Sequence, residues 1–224
     1  MGDTNLEFAD DNERRIYEEA IAFARANKKA RCAQLTDPAV YPPEDHPVSV
    51  FMAGSPGAGK TEAARELIVQ FERLPNAPKV LRIDPDDLRA EFDGYTGTNS
   101  WLFQGAASIW VDRMVDLVLA QGQSFILDGT LSDYGRAKLN IERSLKRRRA
   151  VAILYVYQSP LLAWEFVQAR EAREGRRVHP KQFVDQYLGA RDVVNRLKQE
   201  LGAKITVDLL LKPNDQAHKL VRLG

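Results

Sequence analysis

Apolar positions along the chain follow two rhythms. Five short apolar runs stand out, Val48–Ala53, Val80–Asp84, Ser124–Asp128, Ala150–Tyr157 and Lys204–Leu211. Runs of this length suit strands buried on both faces of a sheet. Between them apolar residues recur every three or four positions. Ala63, Leu67 and Phe71 do so after the first run, and Trp110, Met114, Val115 and Val118 before the third. That spacing is helical. Strands alternating with helices predict an α/β three-layer fold with a mainly parallel sheet of about five strands. Such sheets bind ligands beyond the C-terminal ends of their strands. Residues 54–61, 84–86, 128–130 and the segment after Tyr157 occupy those ends.

The first 45 residues differ from the rest. Residues 3 to 19 hold seven acids and two bases, with Lys28, Lys29 and Arg31 following. Acid first and base last suits a helix macrodipole. Asp10 with Glu13 resembles a capping box, with Asp at the cap. Ile16, Ala20, Phe23 and Ala24 form one apolar stripe that Asn27 interrupts. Pro38, Pro42, Pro43 and Pro47 then mark a loop. The chain thus divides into an N-terminal helix with linker over 1–45 and an α/β domain over 46–224. The helix either packs on the side of the domain or regulates its site.

Composition narrows the class. With 224 residues and a net charge of +1, the chain is one large domain, or one with a small appendage. Near-neutral charge argues against a dedicated nucleic-acid binder. No stretch is long and apolar enough to span a membrane, and the N-terminus lacks the basic-then-apolar pattern of a secretory signal. One cysteine, Cys32, excludes an intrachain disulfide, and a cytoplasmic location is the simplest expectation. Lys28, Lys29 and Arg31 are near enough to lower its pKa, although a passive thiol is the simpler reading. The basic run Lys146–Arg149 reads as a solvated helix C-terminus. His46, His179 and His218 lack metal-ligand spacing and receive no role.

Gly54-Ser55-Pro56-Gly57-Ala58-Gly59-Lys60-Thr61 fits G-x-x-x-x-G-K-[ST], the phosphate-binding loop. A triphosphate needs many donors in a small concave space. Glycines let the backbone turn its N–H groups inward. Lys60 then reaches the β- and γ-phosphates, and the Thr61 hydroxyl can ligate Mg²⁺. The following helix aims its positive end at the anion. ATP and Mg²⁺ are therefore the expected ligands.

Three further segments carry candidate chemistry. In Ile83-Asp-Pro-Asp-Asp-Leu-Arg89, Asp84 reads as an N-cap with Pro85 at the first helical position. A carboxylate there can also accept a proton from a hydroxyl attacking the γ-phosphate. Phe125–Thr130 is an apolar strand ending in Asp128, an acid placed to hold Mg²⁺ or merely to end a strand. Trp164 to Arg177 reads as a helix with Arg170, Arg173 and Arg177 in one row, suited to phosphate or simply solvated. Glu171 and Glu174 flank that row, and Gly175 permits lid movement. The Tyr95–Trp101 loop carries two aromatics that a base or sugar could meet.

Together these motifs resemble the zeta toxin family of P-loop kinases, the toxin halves of epsilon–zeta toxin–antitoxin pairs. The resemblance runs over roughly 47–212 and rests on the phosphate loop, Ile-Asp-Pro-Asp-Asp-Leu-Arg, Ile-Leu-Asp-Gly-Thr, and Arg170 followed by Arg177-Val-His-Pro-Lys-Gln182. The chromosomal members of enteric bacteria look nearest. Family membership implies transfer of the ATP γ-phosphate to the 3′-hydroxyl of the sugar of UDP-N-acetylglucosamine, which blocks cell-wall synthesis. It implies Asp86 as general base, with Lys60, Arg170 and Arg177 on the phosphates. It implies Asp112, Asp128 and Thr130 at the acceptor, and an antitoxin protein or the N-terminal helix as inhibitor. The chain departs from the family type at Asp128 (Glu there), at Ser132 (Arg there) and in the loop Tyr95–Trp101. The departures leave two alternatives, a kinase of another small hydroxylic molecule and a nucleotide-dependent switch without acceptor.

Overall fold

A computed structural model of the protein describes residues 8–73, 77–212 and 219–223. The segment before Phe8 and His218 lie outside the described residues.

The expected strands form, most of them trimmed at their polar ends. They are β1 Val48–Ala53, β2 Leu81–Ile83, β3 Phe125–Leu127, β4 Ala150–Tyr157 and β5 Thr206–Leu211. A sixth, β6 Lys219–Leu223, returns antiparallel to β5. The order across the sheet is β2-β3-β1-β4-β5-β6, and the first five strands run parallel. Two trimmed ends have visible causes. Asp84 leaves the second run to cap a helix, accepting the Asp86 N–H at 2.8 Å. The last run loses Lys204 to a 3₁₀ turn over Gly202–Lys204.

The helices are α1 Asp11–Leu35, α2 Lys60–Glu72, α3 Pro85–Arg89, α4 Gln104–Gln121, α5 Tyr134–Lys146, α6 Pro160–Glu174 and α7 Pro180–Leu201. Phe51, Phe125, Ile153 and Val207 stand on one side of the sheet, in a core shared with α1, α4, α5 and α7. Val50, Met52, Ile126 and Val156 meet α2 on the other. None of the helices among the described residues is long and apolar enough to cross a membrane.

Helix α1 packs on the side of the molecule. Asp10 accepts the Glu13 N–H at 2.8 Å, and the Glu13 carboxylate accepts the Ala9 N–H at 2.7 Å. The box therefore closes one residue earlier than its usual form. Ala20, Ala24 and Cys32 are buried against α4, where the Trp110 indole donates to the Ala24 carbonyl at 3.0 Å. Burial pushes the Cys32 thiol up to about 11, against the pull of Arg113 and Arg31, so the thiol is passive.

One surface expectation is overturned. Arg149 is buried rather than a solvated cap. It donates to Ser49 Oγ at 2.7 Å, to the Val48 carbonyl at 3.1 Å and to the Gln123 carbonyl. Where β1 and β3 begin, carbonyls need donors, and Arg149 supplies them.

Candidate active site

The phosphate loop leaves β1 at Gly54 and enters α2 at Lys60. Gly54, Gly57 and Gly59 have φ of 135°, 73° and 81°, conformations that L side chains rarely adopt. Space forbids a side chain as well. A Cβ on Gly54 would strike the Val156 carbonyl oxygen, and one on Gly57 the Ala163 carbonyl oxygen. Gly59 stands at the N-cap of α2, and no side chain caps that helix. Its first N–H groups are thus left for an anion.

Lys60 donates to the Ser55 carbonyl at 2.7 Å. Burial lowers its ammonium to about 8, against the opposing pull of Asp128 and Asp86. Ser55 is buried, and neither Gly54 nor Ser55 is among the residues lining the cleft beside the loop. The Gly54 N–H donates to the Thr130 carbonyl at 3.2 Å, tying the loop to the turn after β3. Leu131 in that turn has φ 55°, a left-handed conformation unusual outside glycine.

Beside the loop, the ends of β2 and β3 bring together the buried acids Asp84 and Asp128. Arg82 bridges them, donating to Asp84 and, at 2.8 Å, to Asp128; it also pairs with Asp87. Burial, followed by repulsion from Asp128 and Asp86, raises Asp84 to about 6. Asp86 lies one step on. Burial would raise its carboxyl, yet Arg176 and Arg89, with Arg170 beyond them, hold it below the usual carboxylate range. Arg89 contacts Asp86 Oδ1 at 3.0 Å, while Arg176 contacts Oδ2 and Arg170 stands 3.7 Å from Oδ2.

Arg170 and Arg176 come from α6 and the connector after it, together the lid. Helix α6 ends at Glu174, three residues short of expectation, because Gly175 turns left-handed at φ 71°. Arg170 and Arg173 remain on the helix and share Glu174, at 2.7 Å and 2.6 Å. Arg177 falls in the connector to α7, mostly exposed, 3.8 Å from Glu171.

A cleft of about 1620 Å³ runs between these elements. Pro56, Gly57, Ala58, Gly59, Lys60, Thr61, Asp86, Asp128, Thr130, Arg170 and Arg177 all line it. Asp112 does not; it sits on α4, 3.8 Å from Arg136, which does line the cleft. Thr130 and Ser132 share a hydrogen bond of 2.9 Å. From the loop Tyr95–Trp101, Trp101 lines the cleft, and Tyr95 lines a side cavity of about 420 Å³ shared with Asp86 and Arg176.

Residues 32–220 match the family model described as Zeta toxin. The chain belongs to the zeta toxin family.

Solved structures agree on the fold. The PezAT chromosomal toxin–antitoxin system of Streptococcus pneumoniae is 18% identical with TM-score 0.64, over 95% of this chain and 80% of that one. The AvrRxo1-ORF1:-ORF2 complex with ATP is 16% identical with TM-score 0.60, over 94% and 67%. The Pnkp1/Rnl/Hen1 RNA repair complex is 16% identical with TM-score 0.54, over 69% and 47%. No curated protein matches the chain.

Membership in the zeta toxin family carries the coarse assignment of a P-loop kinase-like phosphotransferase. Two residues that bear on that chemistry were not singled out from sequence. Arg82 had a signal, an arginine inside a short apolar strand. Arg176 had little, since Arg177 beside it fits the helical row better. Mg²⁺ fits this zeta toxin site in a restricted way. Among the described residues no group of three acids, histidines or cysteines is placed to hold a metal, and Asp128 is committed to Arg82. Thr61 lines the cleft at the start of α2. In phosphate-loop enzymes the loop Ser/Thr hydroxyl is a Mg²⁺ ligand beside the substrate phosphates, and Thr61 would supply it.

Proposed function

We propose that the protein transfers the γ-phosphate of ATP to the 3′-hydroxyl of the sugar of UDP-N-acetylglucosamine. The observation that carries this reading is one cleft lined by the phosphate loop, Asp86 and Arg170 together. The acceptor oxygen attacks the γ-phosphorus, the bond from that phosphorus to the β–γ bridging oxygen breaks, and ADP leaves. Asp86 takes the hydroxyl proton as general base. Lys60, Arg170 and Arg177 bind phosphates and neutralise charge in transfer. Thr61 would hold Mg²⁺, which when bound would withdraw charge from the phosphates. Asp128 and Thr130 are the proposed acceptor contacts, with Asp112 acting through Arg136, which lines the cleft.

Placement supplies most of the rate, since phosphoryl transfer needs little covalent help. Blocked cell-wall synthesis would follow from the product, and a cytoplasmic site of action from the substrate. A separate antitoxin protein is the proposed inhibitor. Inhibition by the N-terminal helix has less support, because no residue of α1 is among those lining the cleft.

Ser132 favours a second reading, a different small hydroxylic acceptor. It lines the cleft beside Thr130, at a position where the family resemblance implies arginine. One assay separates the two. Purified protein, Mg²⁺-ATP and UDP-N-acetylglucosamine are analysed by mass spectrometry beside Lys60→Ala and Asp86→Ala. A product heavier by one phosphoryl group, absent in both variants, is expected. ATP binding without that product would move the proposal to another acceptor.

A further inference from the structure

The two oxygens of Asp86 are held in different ways. Oδ1 is contacted by Arg89, three residues on in the same short helix, at 3.0 Å. Arg89 is buried, 7% exposed, and its other arm donates to Gln104 of α4. That contact belongs to the framework. Oδ2 faces the lid, where Arg176 contacts it and Arg170 stands 3.7 Å away. Arg176 lies in the five-residue connector between α6 and α7, directly after the left-handed Gly175.

Both Oδ2 partners are cations lining a cleft that also holds Lys60 and the uncapped N-terminus of α2. Arg170 is also paired with Glu174, whereas Arg89 and Arg176 share Asp86; two cations on one carboxylate leave a positive charge that a polyphosphate would balance. A hydroxyl needs a carboxylate oxygen with a lone pair to spare if it is to give up a proton. With guanidinium groups at Oδ2, the lid-side oxygen is occupied.

We infer that Arg176 is a phosphate-binding arginine that waits on Asp86 Oδ2, and that a nucleotide draws it away and so opens that oxygen to the acceptor hydroxyl. The inference rests on the kinase reading above and adds an order to it: nucleotide first, acceptor second. Arg170 moves with it, being on the same lid. Arg89 stays and fixes the carboxylate through Oδ1.

The test needs no acceptor. The full chain, Arg176→Gln and Arg176→Lys are each titrated with Mg²⁺ and the non-hydrolysable analogue AMP-PNP, with binding followed by calorimetry. The Asp86 carboxyl carbon is followed by NMR against pH, with and without the analogue. Arg176→Gln is expected to bind the analogue about tenfold more weakly, the usual consequence of losing a charge-assisted hydrogen bond. Without nucleotide its Asp86 should titrate higher than in the parent. The analogue should raise the Asp86 midpoint in the parent by more than in Arg176→Gln. Arg176→Lys should fall between, and its fold, checked by thermal unfolding, guards against a merely unfolded Gln variant. If Arg176→Gln keeps the parent's affinity, or its Asp86 titrates as in the parent, the inference is overturned. If the parent itself binds no AMP-PNP, the kinase reading fails instead.

Discussion

At the scale of single residues, Lys60 gives the site a pH dependence of known sign. Burial brings its ammonium down to about 8 in the nucleotide-free protein, against the pull of Asp128 and Asp86. A bound polyphosphate favours the charged form, so its pKa rises in the complex. Below about pH 7 the amine is already charged in both states, so Lys60 adds no pH dependence there. As pH rises through 8 the free protein loses the proton, and binding must take it back. AMP-PNP affinity should therefore fall with rising pH, by up to about tenfold per unit for a single linked proton. Calorimetry at pH 8.5 in buffers of different ionisation heat should register proton uptake. Binding there with no uptake would mean that Lys60 does not meet the phosphates.

At the scale of elements, the end of α6 decides which arginines meet the chemistry. Helical spacing placed Arg170, Arg173 and Arg177 in one row, and the reading was sound as far as Glu174. Gly175 then turns left-handed, and the row breaks before Arg177. A glycine near the end of the helix was legible, but its dihedral angle was not. Nor was its neighbour across space, because a Cβ there would come within 2.8 Å of Thr98 Cγ2. The contact joins residues 77 positions apart, which no local pattern encodes. The backbone shape of the phosphate loop was legible, because local glycines dictate it. The Asp84 cap was legible for the same reason. Arg82, Arg149 and Arg176 were not, because their meaning depends on partners brought from other strands and the lid. Gly175→Ala should cost about 1–2 kcal/mol for the left-handed conformation alone, and more if Thr98 cannot yield. Chemical denaturation would measure it. An unchanged midpoint would show that the connector relaxes freely.

At the scale of the whole molecule, α1 determines whether residues 1–45 act as a regulatory appendage or as part of the body. The sequence left both open, since an amphipathic stripe implies burial against something without saying what. In the structure that something is α4. Ala20, Ala24 and Cys32 share one core with Trp110, Val115 and Phe51. The indole of Trp110 also donates to the α1 backbone at Ala24. Arg31 adds an ion pair to Glu91 at 2.5 Å, beyond the end of α3. Removing α1 would expose the face of α4 that carries Trp110, a side chain 1% exposed. Burying one large apolar side chain stabilises by about 1.5–3 kcal/mol. Several such losses approach the about 5–15 kcal/mol by which whole domains are stable. A chain starting at residue 46 should therefore lose its cooperative thermal transition and bind AMP-PNP poorly, as seen by calorimetry. That outcome would make α1 structural and leave inhibition to a separate protein. If the shortened chain unfolded cooperatively and turned over faster than the full one, α1 would be a separable inhibitor despite its place in the core.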